Sequence, residues 1–242
     1  MVKLHEQQSV ELKRPTSMEL KNLPINPGTA TLSNQPTPVG GFKKIIVMGA
    51  GRTGTTAITS VIQELGFFTG VDNKREKPSL ENEKLDELLA LQQYSQLLDR
   101  LSEMASQNNK VVWKSLKLMG NLHIDFLSSL PMDIGIVIVF RDILTTAVRK
   151  TIVSDTDLIQ EMASAIQANT KLLNTIQLAQ NNKLLISYEK LMTSTPEVVK
   201  SIANFCGDID PHLLAPAASQ ITTNSIEYLK ITADFIEKRK SL

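Results

Sequence analysis

The chain has 242 residues, 42% hydrophobic and 21% charged, with a formal net charge of +1. That length and apolar content allow one α/β domain of ordinary size, or two small ones, with a sizeable core. The near-zero charge gives no global field calling for nucleic acid or a membrane surface, so any anion site must be built from local cations and backbone amides.

Residues 1–41 hold five of the ten prolines (Pro15, Pro24, Pro27, Pro36 and Pro38), separated by Ser, Thr, Asn and Gln. This composition buries too little to offset ordering entropy, so it predicts a mostly disordered arm before a domain over 42–242. The first residues lack the apolar core of a secretory signal, and no apolar run reaches the ~18–20 residues that span a bilayer. The expectation is a cytoplasmic protein without a membrane span. The single cysteine, Cys206, excludes an intramolecular disulfide and fits a reducing compartment. In "SIANFCGD" it reads as the buried end of a helix rather than a catalytic thiol.

From Lys43 the chain alternates. "KKIIVMG" is a β-branched run suited to a buried parallel strand, and "TTAITSVIQELGF" places Ala57, Ile58, Val61, Ile62 and Leu65 on one helical face. "SLENEKLDELLALQQYSQLLDRLSEMASQ" reads as a long helix or helix pair, "KVVWKS" as a strand and "NLHIDFLSSL" as a helix. "DIGIVIVFRD" contains the strongest strand; "ILTTAVRKTIV" and "DLIQEMASAIQANTKLLNTIQLAQ" are helical; "KLLISY" is a strand. "PEVVKSIANFCG" is a helix with Pro196 in its first turn, and "SIEYLKITADFIEKRK" is a final helix. Short strands separated by helices predict a three-layer α/β fold of phosphate-loop type, with a parallel sheet of four to five strands covered on both faces.

"IIVMGAGRTGTT" carries two overlapping signatures. Gly49, Gly51 and Gly54 spell GxGxxG, the dinucleotide-binding turn, while Gly49 to Thr56 spells a Walker-type loop with Thr55 in place of its lysine. In both, a strand ends, glycines turn the backbone, and a helix begins with free N–H groups facing an anion. The dinucleotide reading asks for a strand ending in an acidic residue about 20 residues on. Asp72 stands near that distance, but "GFFTGVDNKREKP" is weakly strand-like. A nucleoside triphosphatase needs the missing lysine for its β/γ-phosphates. Arg52 with Thr55 and Thr56 instead suits another oxyanion.

"GAGRTGTT" after a strand resembles the 5′-phosphosulfate loop of sulfotransferases that use 3′-phosphoadenosine 5′-phosphosulfate (PAPS). "IVIVFRD" resembles the family's strand ending in the arginine on the 3′-phosphate, here Arg141. "LLISYEKLMTSTPEVVKSIANFCG" resembles the segment whose tyrosine lies by the adenine, here Tyr188. "VVWKSLKL" resembles the strand with a basic residue near the sulfuryl group, here Lys114 beside Trp113. Together these blocks cover residues 43–208. The resemblance implies sulfuryl transfer from PAPS to a hydroxyl or amine of a small-molecule or glycan-type acceptor, without a metal. It gives Arg52 and Lys114 catalytic roles and places Gly51, Arg52, Thr53, Gly54, Thr55, Thr56, Arg141, Arg149 and Tyr188 around PAPS.

The chain also departs from the family pattern. Ile143 stands where proline follows the arginine motif, and Arg149 stands where a serine is usual, with Thr145 and Thr146 as nearby hydroxyls. Leu116 stands where one branch has its catalytic histidine. Other branches use a carboxylate base; Asp72, Glu76 and His123 are available, and none is assigned. The glycine-rich basic loop near the C-terminus is not recognisable, since "FIEKRKSL" has the cations without the glycines. Three other readings stay open: a sulfotransferase-fold binding module without catalysis, a phosphate-loop kinase and an NAD-dependent oxidoreductase.

Overall fold

A computed structural model describes residues 28–33, 35–70, 80–119, 123–154 and 156–221. The apolar runs form β1 (Thr29–Leu32), β2 (Lys44–Gly49), β3 (Val111–Lys114), β4 (Ile134–Phe140) and β5 (Lys183–Ser187). They lie side by side in the order β1-β5-β4-β2-β3. β2, β3, β4 and β5 are parallel, and β1 closes one edge antiparallel to β5. Between them run α1 (Thr55–Glu64), α2 (Glu83–Ala90), α3 (Tyr94–Asn108), α4 (Ile124–Ser128), α5 (Ile143–Ser154), α6 (Leu158–Leu178), α7 (Tyr188–Thr193) and α8 (Thr195–Cys206). Residues 214–221 are also helical. The result is the expected α/β architecture with helices on both faces of a mostly parallel sheet.

Successive strand residues point to opposite faces, and the two cores follow that period. Ile45, Val47, Val112, Val137, Val139 and Ile186 pack under α1 and α8. Ile46, Met48, Trp113, Ile136 and Ile138 pack under α2, α3, α4 and α6. Of the stripe read from the sequence, Ala57 is partly buried against the first core, and Ile58, Val61, Ile62 and Leu65 are fully buried in it. Each such side chain contributes about 1.5–3 kcal/mol by leaving water. The helix that follows the glycine loop is therefore held firmly to the sheet.

The predicted "helix or helix pair" after Leu80 is a pair, α2 and α3. Asn82 caps α2 by accepting a hydrogen bond from the Leu85 amide at 3.1 Å, and Asp157 caps α6 likewise from Gln160 at 2.9 Å. Within the arm predicted to be mostly disordered, Thr29–Leu32 pairs with β5 from Thr29↔Ile186 to Leu32↔Lys183. Four residues, "TATL", are too few to show a period of two. What recruits them is the edge of β5, whose backbone groups otherwise lack a strand partner. Residues 1–27 and the predicted final helix lie outside the described residues. Among the described residues, no helix is long and apolar enough to cross a membrane.

Candidate functional site

The parallel register brings four separate segments to the carboxyl edge of the sheet, where α/β folds place ligands. Val47 of β2 lies opposite Lys114 of β3, Gly49 opposite Val139 of β4, and Phe140 opposite Ser187 of β5. The glycine loop, Lys114, Arg141 and Tyr188 therefore all leave the sheet at one end. The order also makes this the switch point of the fold, because β3 flanks β2 on one side and β4 on the other.

In the loop, Arg52 and Gly54 both adopt left-handed backbone, with φ of 72° and 96°. For a non-glycine residue that conformation costs about 1–2 kcal/mol. Buried Thr53 between them donates its hydroxyl to the Ala50 carbonyl at 2.7 Å, closing the turn from within. A Cβ on Gly49 would lie 2.6 Å from both Thr53 Oγ1 and Thr55 Cγ2. A Cβ on Gly54 would lie 2.1 Å from Tyr188 Cδ2. A Cβ on Gly51 would meet nothing within 4 Å.

Helix α1 starts at Thr55 with Gly54 as its N-cap, and no side chain caps it. The first turn holds no acidic residue. Its leading N–H groups and positive dipole end thus lack the carboxylate or hydroxyl that commonly satisfies them. Buried Thr55 and half-buried Thr56 do not serve as caps. Arg52 is exposed, and its guanidinium makes no hydrogen bond or ion pair among the described residues.

Lys114 is only 3% exposed. Its ammonium donates to Thr56 Oγ1 at 3.0 Å and faces Glu81 Oε1 at 3.0 Å. Glu81 also bridges β3 at Lys114 through its backbone. Behind this pair, Trp113 Nε1 donates to Asp86 at 3.2 Å, and Lys117 Nζ lies 3.6 Å from the same carboxylate. Burial raises the Asp86 carboxyl above its ordinary 3.8, against the opposing pull of Lys117 and the Trp113 hydrogen bond. The buried indole and Asp86 fix the strand end from which Lys114 reaches the loop.

Arg141 leaves β4 and touches three groups. Its NH1 donates to the Arg52 carbonyl at 3.1 Å, its guanidinium lies 4.5 Å from the centre of the Tyr188 ring, and its Nε faces Glu189 at 3.8 Å. Glu189 accepts a hydrogen bond from the Asp142 amide at 3.0 Å, joining the starts of α5 and α7. Asp142 caps α5 by accepting from the Thr145 amide at 2.8 Å, and these hydrogen bonds hold its carboxyl below the usual range. Ile143 is the first residue of α5, a position where proline is favoured but not required.

The loop, Lys114, Arg141 and Tyr188 are thus joined by direct contacts. Arg149 lies two turns along α5 from Arg141 and is half-buried. His123 is elsewhere, buried under α3 with its Nδ1 3.1 Å from the Tyr94 hydroxyl, and burial lowers its pKa. Asp72 and Glu76 lie outside the described residues. Cys206 is fully buried and its thiol is pushed up to about 12. Two site residues escaped the sequence reading. Glu189 had a local signal, following Tyr188 directly after a strand. Glu81 had none, because only the three-dimensional path of the 80–82 segment sets it beside β3.

No protein-family model matches this chain, and no curated protein matches it. Among solved structures, the sulfotransferase domain from the curacin biosynthetic pathway is similar, at 14% identity and a TM-score of 0.46. That likeness covers 72% of this chain and 76% of the other.

Proposed function

We propose that the carboxyl edge of the sheet binds PAPS and that the protein transfers its sulfuryl group to a hydroxyl or amine. The observation that carries this reading is Arg141. It bonds the carbonyl of Arg52 and stacks on Tyr188, so three separated sequence blocks meet around one loop. Such a site offers distinct cations to a ligand with two separated anionic groups. The uncapped start of α1, with Arg52, Thr55 and Thr56, suits the 5′-phosphosulfate. Arg141, with Arg149 further along α5, suits the 3′-phosphate, and the Tyr188 ring suits the adenine. No step in this reaction calls for a metal.

In sulfuryl transfer the acceptor oxygen or nitrogen forms a bond to sulfur while the bond from sulfur to the 5′-phosphate oxygen breaks. The electron pair leaves on that phosphate. Arg52 and the loop amides stabilise the charge developing there, and Lys114 neutralises the sulfuryl oxygens. The acceptor's proton passes to a carboxylate. Glu81, 3.0 Å from the Lys114 ammonium, is our assignment of base, where the sequence by itself assigns none of Asp72, Glu76 and His123.

A second reading, a binding module without turnover, draws on the Lys114–Glu81 pair, which neutralises the same ammonium before any ligand arrives. Calorimetry with 3′-phosphoadenosine 5′-phosphate, ATP and NAD tests binding, and PAPS turnover over a panel of phenol, sugar and amine acceptors tests catalysis. Binding of the bisphosphate but not NAD or ATP is expected, with turnover lost in Lys114→Met and Glu81→Gln. Binding of ATP or NAD alone refutes the site. Bisphosphate binding without any turnover leaves the module reading.

A further inference from the structure

The longest helix carries a surface that the site does not use. On α6, Ile159, Ile166 and Leu173 are 70%, 51% and 53% exposed. They recur every seven residues, and Ala163, Thr170 and Gln177, also exposed, interleave four residues after each. At 3.6 residues per turn these six form one narrow seam. The buried positions, Ala165, Leu172 and Thr175, lie on the opposite side of the helix. The seam therefore points straight away from the core, which is not where an amphipathic helix places its large aliphatic residues.

We infer that α6 is a self-association surface, on which two copies of this chain pair antiparallel. Aligning α6 with a reversed copy over its whole length sets Ile159 opposite Gln177, Ala163 opposite Leu173 and Ile166 opposite Thr170. Every large residue of one copy then meets a smaller or more flexible one of the other. This is the interdigitation that lets two helices approach closely. The charge pattern agrees. The helix has only two charged residues, Glu161 and Lys171, and neither is on the seam. Glu161 is instead paired within the chain, 3.4 Å from Lys150. Two copies meet there with no like charges opposed.

The size of the surface sets the strength. A helix of 21 residues is about 30 Å long and about 10 Å wide, giving a footprint of roughly 300 Å² per copy, against about 800 Å² in a stable interface. The pair is thus a weak, reversible dimer.

The test is sedimentation equilibrium of the full chain from about 5 to about 500 μM, a range chosen for an interface below the standard size. A shift from monomer to dimer across that range is expected. Ile166→Glu should weaken it at least about 30-fold, the effect of losing a central hot spot, while Trp113 fluorescence and thermal unfolding stay unchanged. The double variant Ala163→Cys/Leu173→Cys should form a disulfide-linked dimer on oxidation, and each single variant should not. Cys206 is buried and does not compete. A monomer at every concentration overturns the inference, as does a dimer indifferent to Ile166→Glu. A monomer in which Ile166→Cys resists alkylation also overturns it, because another part of the chain then covers the seam.

Discussion

Replacing Gly54 by alanine tests the architecture of the loop directly. Two costs add at this position. The φ of 96° is a left-handed conformation that costs a residue with a Cβ about 1–2 kcal/mol. The new methyl would also sit 2.1 and 2.2 Å from Cδ2 and Cε2 of the Tyr188 ring, an overlap of the kind that costs about 1–3 kcal/mol to relieve. The ring cannot withdraw freely, because Arg141 covers it at 4.5 Å. Gly54→Ala should therefore destabilise the fold by about 2–5 kcal/mol in urea unfolding, followed by Trp113, the sole tryptophan. Gly51→Ala is the control. Its φ is not positive and the added methyl meets nothing within 4 Å, so its stability should stay within about 0.5 kcal/mol of the parent. The double variant Gly54→Ala/Tyr188→Ala separates the two costs, since removing the ring relieves the overlap and leaves the backbone strain. A coupling of about 1–3 kcal/mol between the sites is expected. Parent-like stability of Gly54→Ala, or no coupling to Tyr188, would refute the packing on which the site rests.

Three further predictions concern neighbouring groups. Arg141→Lys keeps the charge but loses the planar fork that bonds the Arg52 carbonyl while stacking on Tyr188. It should cost about 1–3 kcal/mol in urea unfolding and weaken calorimetric binding of 3′-phosphoadenosine 5′-phosphate, whereas parent-like values for both would count against the stack. Asp86→Asn should raise the melting temperature at pH 7. The folded-state pKa of Asp86 is raised, so its carboxyl weighs against folding increasingly as pH climbs above 3.8, and asparagine still accepts from Trp113. A lower melting temperature would show that the Lys117 pairing outweighs burial. His123 has a lowered folded-state pKa, so its contribution is present above 6.5 and is lost as pH falls below that value. Thermal melts from pH 8 to pH 5 should show a steeper loss for the parent than for His123→Gln, and identical slopes would refute the assignment.

The strands and main helices were legible because each carries its own period. β4 is a run of seven residues that are nearly all buried, and α1 shows a clear stripe. β1 was not legible, since its reason for pairing is the neighbouring edge of β5 rather than anything in "TATL". The site divides the same way. Arg141 and Tyr188 could be placed because each follows a strand directly, where the register of the sheet decides position. Glu81 could not, because it reaches β3 from a segment whose course the local pattern leaves open. His123 has suitable chemistry by residue type, but its ring is buried against Tyr94, away from the loop.

The two glycine patterns of the loop are separated by what the neighbouring strand presents. A dinucleotide turn needs the strand beside it to end in a carboxylate that holds ribose hydroxyls. Here β2 is flanked by β3, which ends in Lys114, and the ammonium is aimed back at Thr56 from 3.0 Å. That ammonium, shared with Glu81 at 3.0 Å, is the group β3 presents toward the loop. The glycines of the loop divide by what surrounds them. Gly49 and Gly54 are demanded by Thr53, Thr55 and Tyr188, that is, by the protein's own packing. Among the described residues nothing lies within 4 Å of a Cβ on Gly51, and the residue that follows it, Arg52, is exposed. If that space receives the ligand, Gly51→Ala should fold like the parent and bind the bisphosphate less tightly, a split that loss of packing alone cannot produce.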